Sequence, residues 1–239
     1  MNEERKTAIV VGVLFITATV TAILTSVLLG STLDVPNYLT TIAANEIRVV
    51  AVVILELMCA VSVLGIGVMM FPVLKKHRER GALGYVGIRL IEAVFIIIAS
   101  LGLLSLITIS KDSLGGTLNA FNYQPAGNLL LALRGWSYMI GTLIFLGLGG
   151  LFLNYVLYQS RLVPRWLSAW GLIGSVLILF YGLLGLFGVS TDLTSPTTVL
   201  ALPIAVEEMV LAAWLIVKGF DSSAVASDST TQKRLGGEP

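Results

Sequence analysis

Six apolar stretches dominate this sequence, each long enough to cross a bilayer core, which takes roughly 20 residues of helix. They run at about Thr7–Gly30, Ile47–Leu74, Gly84–Ile109, Asn128–Tyr158, Ser168–Val189 and Val199–Val217. Nothing in a bilayer satisfies a bare peptide group, so such stretches must be helices. The composition agrees. Of 239 residues, 56% are hydrophobic and 12% charged, against about 25% charged in a soluble domain. Mean hydropathy is +0.92. A formal net charge of +1 leaves no basic face for nucleic acid. The expected fold is therefore an all-α membrane protein, a single bundle of six transmembrane helices over residues 1–220.

Short polar connections, punctuated by Pro and Gly, separate the spans. Lys75–Leu83 is a basic turn, and Gln159–Leu167 carries Arg161, Pro164 and Arg165. Residues 221–239 lack apolar periodicity and read as a disordered tail. Orientation follows from Lys and Arg. With the N-terminus inside, the inner side carries Arg5, Lys6, Lys75, Lys76, Arg78, Arg80, Arg161, Arg165, Lys218, Lys233 and Arg234, whereas the outer loops carry Lys111. Both termini are thus expected in the cytoplasm. The first apolar run exceeds the 7–15 residues typical of a signal peptide and is expected to remain.

One Cys (Cys59) and one His (His77) exclude an internal disulfide and a zinc site built on several such ligands. No cofactor or metal is indicated. The chemistry left is carried by charges inside the spans: Arg48, Arg89 and Arg134, with Glu56, Glu92, Glu207 and Glu208. Each costs about 2.5–3.5 kcal/mol to insert, so pairing or function is the default expectation.

At about 100° per residue, Glu208 shares a stripe with Ala201, Ala205 and Ala212, small residues of the kind that mark helix contact in membranes. Glu56 lines up with Cys59, Ala60 and Gly67. Glu92 lines up with Tyr85 and Arg89. Arg134 lines up with Ser137, Tyr138 and Gly141. The fifth span carries Gly171, Ser175, Ile178, Gly182 and Gly185 on one face, and the first has Thr17, Thr21 and Thr25, able to bond their own carbonyls. Glu207 lies about 100° from Glu208, so one of the two is expected to point straight inward. Without Glu207 the inward set balances, Arg48, Arg89 and Arg134 against Glu56, Glu92 and Glu208.

Several motifs resemble one family, the bacterial membrane proteins of domain of unknown function 4386. Arg48 with Glu56 is similar to its early arginine–acid signature. Ile88-Arg89-Leu90-Ile91-Glu92-Ala93 resembles its arginine–glutamate span. Ser160-Arg161-Leu162-Val163-Pro164-Arg165-Trp166-Leu167 resembles its basic turn, and Glu208 followed by Trp214-Leu215-Ile216-Val217-Lys218-Gly219 its closing motif. The likeness covers roughly residues 5–220. Arg134 matches none of these motifs. The resemblance implies a multi-pass protein of a bacterial cytoplasmic membrane, favours Glu208 over Glu207 as the inward residue, and supplies no activity, substrate or cofactor.

Three functions fit these residues. The six-charge network encloses a polar site that binds or transports a small polar solute or a proton, with the lipid bilayer as the constant partner. Alternatively the network serves helix assembly in a structural or regulatory subunit. A lipid- or quinone-modifying enzyme is the third, and no nucleophile or catalytic set accompanies the carboxylates. The oligomeric state leaves no mark in the sequence.

Overall fold

A computed structural model describes residues 3–30, 32–115, 123–190 and 195–221. The regular structure among them is helical throughout. Helix α1 covers Glu3–Leu29, a short α2 Tyr38–Ala44, α3 Glu46–Lys75 and α4 Glu79–Gly115. The next crossing is composite: α5 (Gln124–Tyr138), a π-helical stretch Met139–Phe145 and α6 (Leu146–Ser160). Helix α7 covers Arg165–Leu186, and a 3-10 turn at Pro196–Ala201 leads into α8, Leu202–Val217.

Six helices are long and apolar enough to cross a membrane. The chain is a six-helix membrane bundle. Glu79 opens α4 inside the expected basic turn, and its acidic side chain suits the positive end of the helix. At 1.5 Å per residue, α4 and the composite rod each reach about 55 Å, well beyond a hydrocarbon core of about 30 Å. The expected tail lies outside the described residues except for Asp221, as does much of the connection before α8, where Asp192 falls.

The spans close into a ring in chain order. Helix α1 packs on α3, α3 on α4, α4 on the composite rod, α6 on α7 and α7 on α8, and α8 returns to α1. Arg5 ties this last joint. Its guanidinium donates to the carbonyls of Leu215 (3.0 Å), Ile216 (2.6 Å) and Val217 (3.1 Å). The final carbonyls of any helix lack partners within it, and here a side chain from the first helix supplies them. Residue 3 and the end of α8 therefore share one end of the bundle, called here the termini end.

Small residues permit the packing on α7. Gly171, Ser175, Ile178, Gly182 and Gly185 are all buried, as expected from their stripe. Thr17 and Thr21 bond the carbonyls of Val13 (2.9 Å) and Thr17 (2.8 Å). Thr25 is buried without such a bond. At the far end α2 covers α4, and the Tyr38 hydroxyl bonds Asn128 Oδ1 at 2.9 Å.

Candidate functional site

The intramembrane charges form two clusters rather than one lattice. Glu56 lies ten residues into α3 from the far end, and Arg89 ten residues into α4 from the termini end. Each is thus about 15 Å deep from its own side.

The far cluster is a closed pair. Arg134 Nη2 meets Glu56 Oε1 at 2.6 Å, and Nη1 reaches Glu56 Oε2 at 3.3 Å. This two-point contact is the geometry in which a guanidinium holds a carboxylate best. Nη1 also donates to the carbonyl of Ala99 at 3.0 Å. The Ser100 hydroxyl donates to Glu56 Oε2 at 2.7 Å. Both charged residues are buried, and both have their lone pairs and protons well used.

The second cluster is built on one face of α4, where Tyr85, Arg89 and Glu92 recur at helical spacing. Arg89 Nε donates to the Tyr85 hydroxyl at 3.0 Å and Nη1 to Glu92 Oε2 at 3.0 Å. Glu208 of α8 completes it, with Oε1 3.5 Å from Arg89 Nη2. That length is an ion pair but a poor hydrogen bond, and Nη2 has no hydrogen-bond partner. The rings of Phe15 and Tyr85 flank the guanidinium at 5.8 and 5.3 Å. Gly67 on α3 makes room for it, because a Cβ there would stand 3.0 Å from Arg89 Cβ.

Glu207 belongs beside this second cluster. It is 1% exposed, and neither carboxyl oxygen has a hydrogen-bond partner. The side chain of Glu208 is 15% exposed. The expectation that only one of the two faces inward rested on a narrow contact stripe. Helix α8 is packed on one side by α1 and on the other by α7. Its buried residues Glu207, Leu211, Ile204, Leu215 and Ala212 span an arc of about 140°, which includes Glu208 as well. Ala205, assigned to the inward stripe, is exposed.

The level of Glu207 follows from its neighbours. The backbone of Ile204 lies against Gly174 of α7. One turn further along α8, toward the termini end, corresponds to one turn back along the antiparallel α7, at Gly171. The Asn154 amide of α6 lies on Gly171. Asn154 is 2% exposed, and its Oδ1 has no hydrogen-bond partner. Cys59 of α3 lies within electrostatic reach of Arg89, Glu92 and Glu208.

The structure thus brings together Arg134 with Glu56, and Arg89 with Glu92 and Glu208. It does not bring Arg48 to either set. Arg48 is exposed at the far rim, near Gly30, and has no ion pair among the described residues. It is the third residue of α3, so its depth is too small to reach the others. Sequence reasoning did not single out Ser100, Asn154 or a buried Glu207. Asn154 carried a signal, as a lone amide within the apolar run from Leu146 to Leu157. Among the described residues no group of three or more His, Cys, Asp or Glu side chains is gathered to hold a metal ion.

Two cavities lie elsewhere. One of about 610 Å³ sits at the termini end, bordered by Arg161, Arg165 and Lys218. The other, about 380 Å³, is an apolar hollow between α1 and α3 lined by Thr17, Met58 and Ser62 among others.

Residues 10–219 match the family described as Domain of unknown function (DUF4386). No curated protein and no solved structure matches the chain.

Proposed function

Because the chain belongs to the domain of unknown function 4386 family, whose description assigns no chemistry, we propose a function from the site itself: proton binding and transfer within the membrane, centred on Glu207 and the Arg89 cluster. The observation that carries this reading is the state of Glu207. It is a fully buried carboxyl group without a hydrogen-bond partner, beside an arginine already engaged by Glu92 and Glu208.

One guanidinium against three carboxylates leaves an excess of two negative charges when all are ionised. A bare buried carboxylate is costly, so this excess calls for an incoming positive charge. A proton fits better than a metal cation. Arg89 repels cations, and a proton needs only one carboxyl oxygen. The titratable and charged groups gathered at the cluster are Tyr85, Arg89 and Glu92 from α4, Glu207 and Glu208 from α8 and Cys59 from α3. Helix α1 contributes the Phe15 ring over Arg89, while the Asn154 amide lies against Gly171 of the neighbouring α7. A small polar solute moving with the proton would need a polar opening next to these groups, and the partly exposed side chain of Glu208 is where such an opening would reach them.

A second reading, helix assembly, is favoured by the far cluster. Arg134 and Glu56 satisfy each other and leave little for a ligand to do. The two readings therefore divide between the clusters. The eleven-to-one bias of Lys and Arg supports termini on the inner side, and the family resemblance supports a bacterial cytoplasmic membrane as its location.

The test is proton flux into proteoliposomes carrying an internal pH dye, with a pH gradient imposed. Wild type should dissipate the gradient faster than empty vesicles. Glu207→Gln should abolish that excess while unfolding at or above the wild-type temperature, because the amide removes a charge that lacked a partner. A folded Glu207→Gln variant with unchanged flux, or wild type indistinguishable from empty vesicles, would overturn the reading.

A further inference from the structure

The cavity at the termini end gathers into one hollow basic residues that orientation alone would leave scattered. Its wall carries three cations from two separate segments: Arg161 and Arg165 from the turn between α6 and α7, and Lys218 from the end of α8. None of the three has a carboxylate partner among the described residues. Asp221, on the same wall, has interactions of its own, and its N–H donates to the Leu162 carbonyl at 2.9 Å. Behind Gly219, Arg5 adds a further positive charge, 3.0 Å from where a Cβ would stand.

Two local details sharpen the picture. Arg161 has φ 58° and ψ 24° and is the one non-glycine residue with positive φ among those described. This C-cap conformation is the one glycine adopts freely and branched chains resist. A basic residue needed only for topology would sit as well at Gln159 or Ser160, in ordinary backbone. Helix α7 begins at Arg165 with no side-chain cap from Pro164. The first N–H groups of a helix find no acceptor within it and favour anions. Trp214 lines the same cavity, so an apolar wall stands beside the charges.

We propose that this cavity is a binding site for a phosphate ester, held by Arg161, Arg165 and Lys218. The ester is either the headgroup of an anionic lipid or a small soluble phosphate. Guanidinium groups hold phosphate oxygens by paired, charge-assisted hydrogen bonds, and the turn places two of them four residues apart around the start of α7. The position at the membrane-facing end of the bundle suits either source. This inference does not depend on the proton reading, since no residue is shared.

The experiment is thermal unfolding of the full chain in nanodiscs. Phosphatidylcholine discs receive inorganic phosphate, with chloride at matched ionic strength as the control for screening. A second set contains phosphatidylglycerol. A ligand that binds only the folded state raises the midpoint in proportion to occupancy. A saturable rise with inorganic phosphate assigns a soluble phosphate. A rise confined to the phosphatidylglycerol discs assigns the headgroup.

Arg161→Gly should fold at least as well as wild type, since glycine relieves the backbone, yet weaken binding about tenfold, by the loss of one charge-assisted contact. Lys218→Gln should weaken it by a similar factor. Arg80→Gln, at the same end but outside the cavity, should change nothing. The proposal fails if neither probe exceeds chloride. It fails also if Arg161→Gly keeps full binding, or if Arg80→Gln loses as much.

Discussion

Replacing Arg134 and Glu56 separately and together measures what the far cluster contributes. Removing one partner of a buried ion pair typically costs about 3–5 kcal/mol, because a bare charge stays behind. The contacts here make the two single losses unequal. With Arg134→Met, Glu56 keeps the Ser100 hydroxyl, at 2.7 Å. With Glu56→Leu, the guanidinium keeps a single acceptor, the Ala99 carbonyl at 3.0 Å, while 6% exposed. Arg134→Met should therefore cost about 3 kcal/mol and Glu56→Leu about 5 kcal/mol. Independent effects would sum to about 8 kcal/mol. The double variant leaves no bare charge. It loses only the bonds to Ser100 and Ala99, at about 1 kcal/mol each. The expected cost is about 2 kcal/mol and the coupling about 6 kcal/mol. Unfolding by titration of mixed micelles with a denaturing detergent supplies the four free energies. Ordinary hydrogen bonds between membrane helices couple by about 0.6 kcal/mol. A coupling no larger than that would refute the argument that the pair, rather than the surrounding packing, holds α3 to α5.

Four further outcomes are expected. Arg48→Ala should change stability by no more than about 0.5 kcal/mol in the same titration, because the side chain is exposed and unpaired. Tyr85→Phe should cost about 1–2 kcal/mol, since Arg89 Nε loses its acceptor; full wild-type stability would show that the guanidinium finds another. Gly171→Ala should destabilise by about 1–3 kcal/mol, because the new methyl group collides with the Asn154 amide, and Asn154→Ala should restore part of the loss in the double variant. Burial raises the Tyr38 hydroxyl above its ordinary value of 10.0. The folded chain then keeps a proton that the unfolded chain releases, so this contribution is intact below pH 10 and is lost as pH rises through the folded value. Tyr38→Phe should flatten the alkaline fall of a melting-temperature profile.

Much of this architecture is written in local pattern. The spans follow from apolar length alone, and the Arg89–Glu92 pair from a spacing of three residues on one helix. Partners across helices are another matter. Arg134 and Glu56 are 78 residues apart, and nothing in either segment says that α3 and α5 converge on the same stretch of α4. Arg48 shares the side of the helix that Glu56 occupies. Its depth, only two residues past the start of α3, decides otherwise. A stripe of small residues marks one narrow contact face on α8 and leaves Glu207 outside it. In a closed ring every helix has neighbours on two sides, so the buried arc widens and takes in both glutamates. The phosphate cavity depends on the meeting of residues 161–165 with residues 218–221, which is a property of the closed ring and of no single segment.

The π-helical stretch at Met139–Phe145 sets the phase of the composite rod. A wide turn takes up extra chain without extra length, so α6 leaves it rotated relative to α5. That rotation lets one continuous rod present Arg134 to α3 and α4 on one level, yet turn Gly149 toward Arg89 and Asn154 toward α7 on the next. Restoring ordinary winding there with every residue kept would swing everything from Leu146 onward by about 100°, the turn of one residue. The two charge clusters are thus held in step by one local irregularity. Removing the one residue that the wide turn absorbs would instead leave α6 close to its present phase, so the winding of this segment, more than its length, keeps the two clusters aligned.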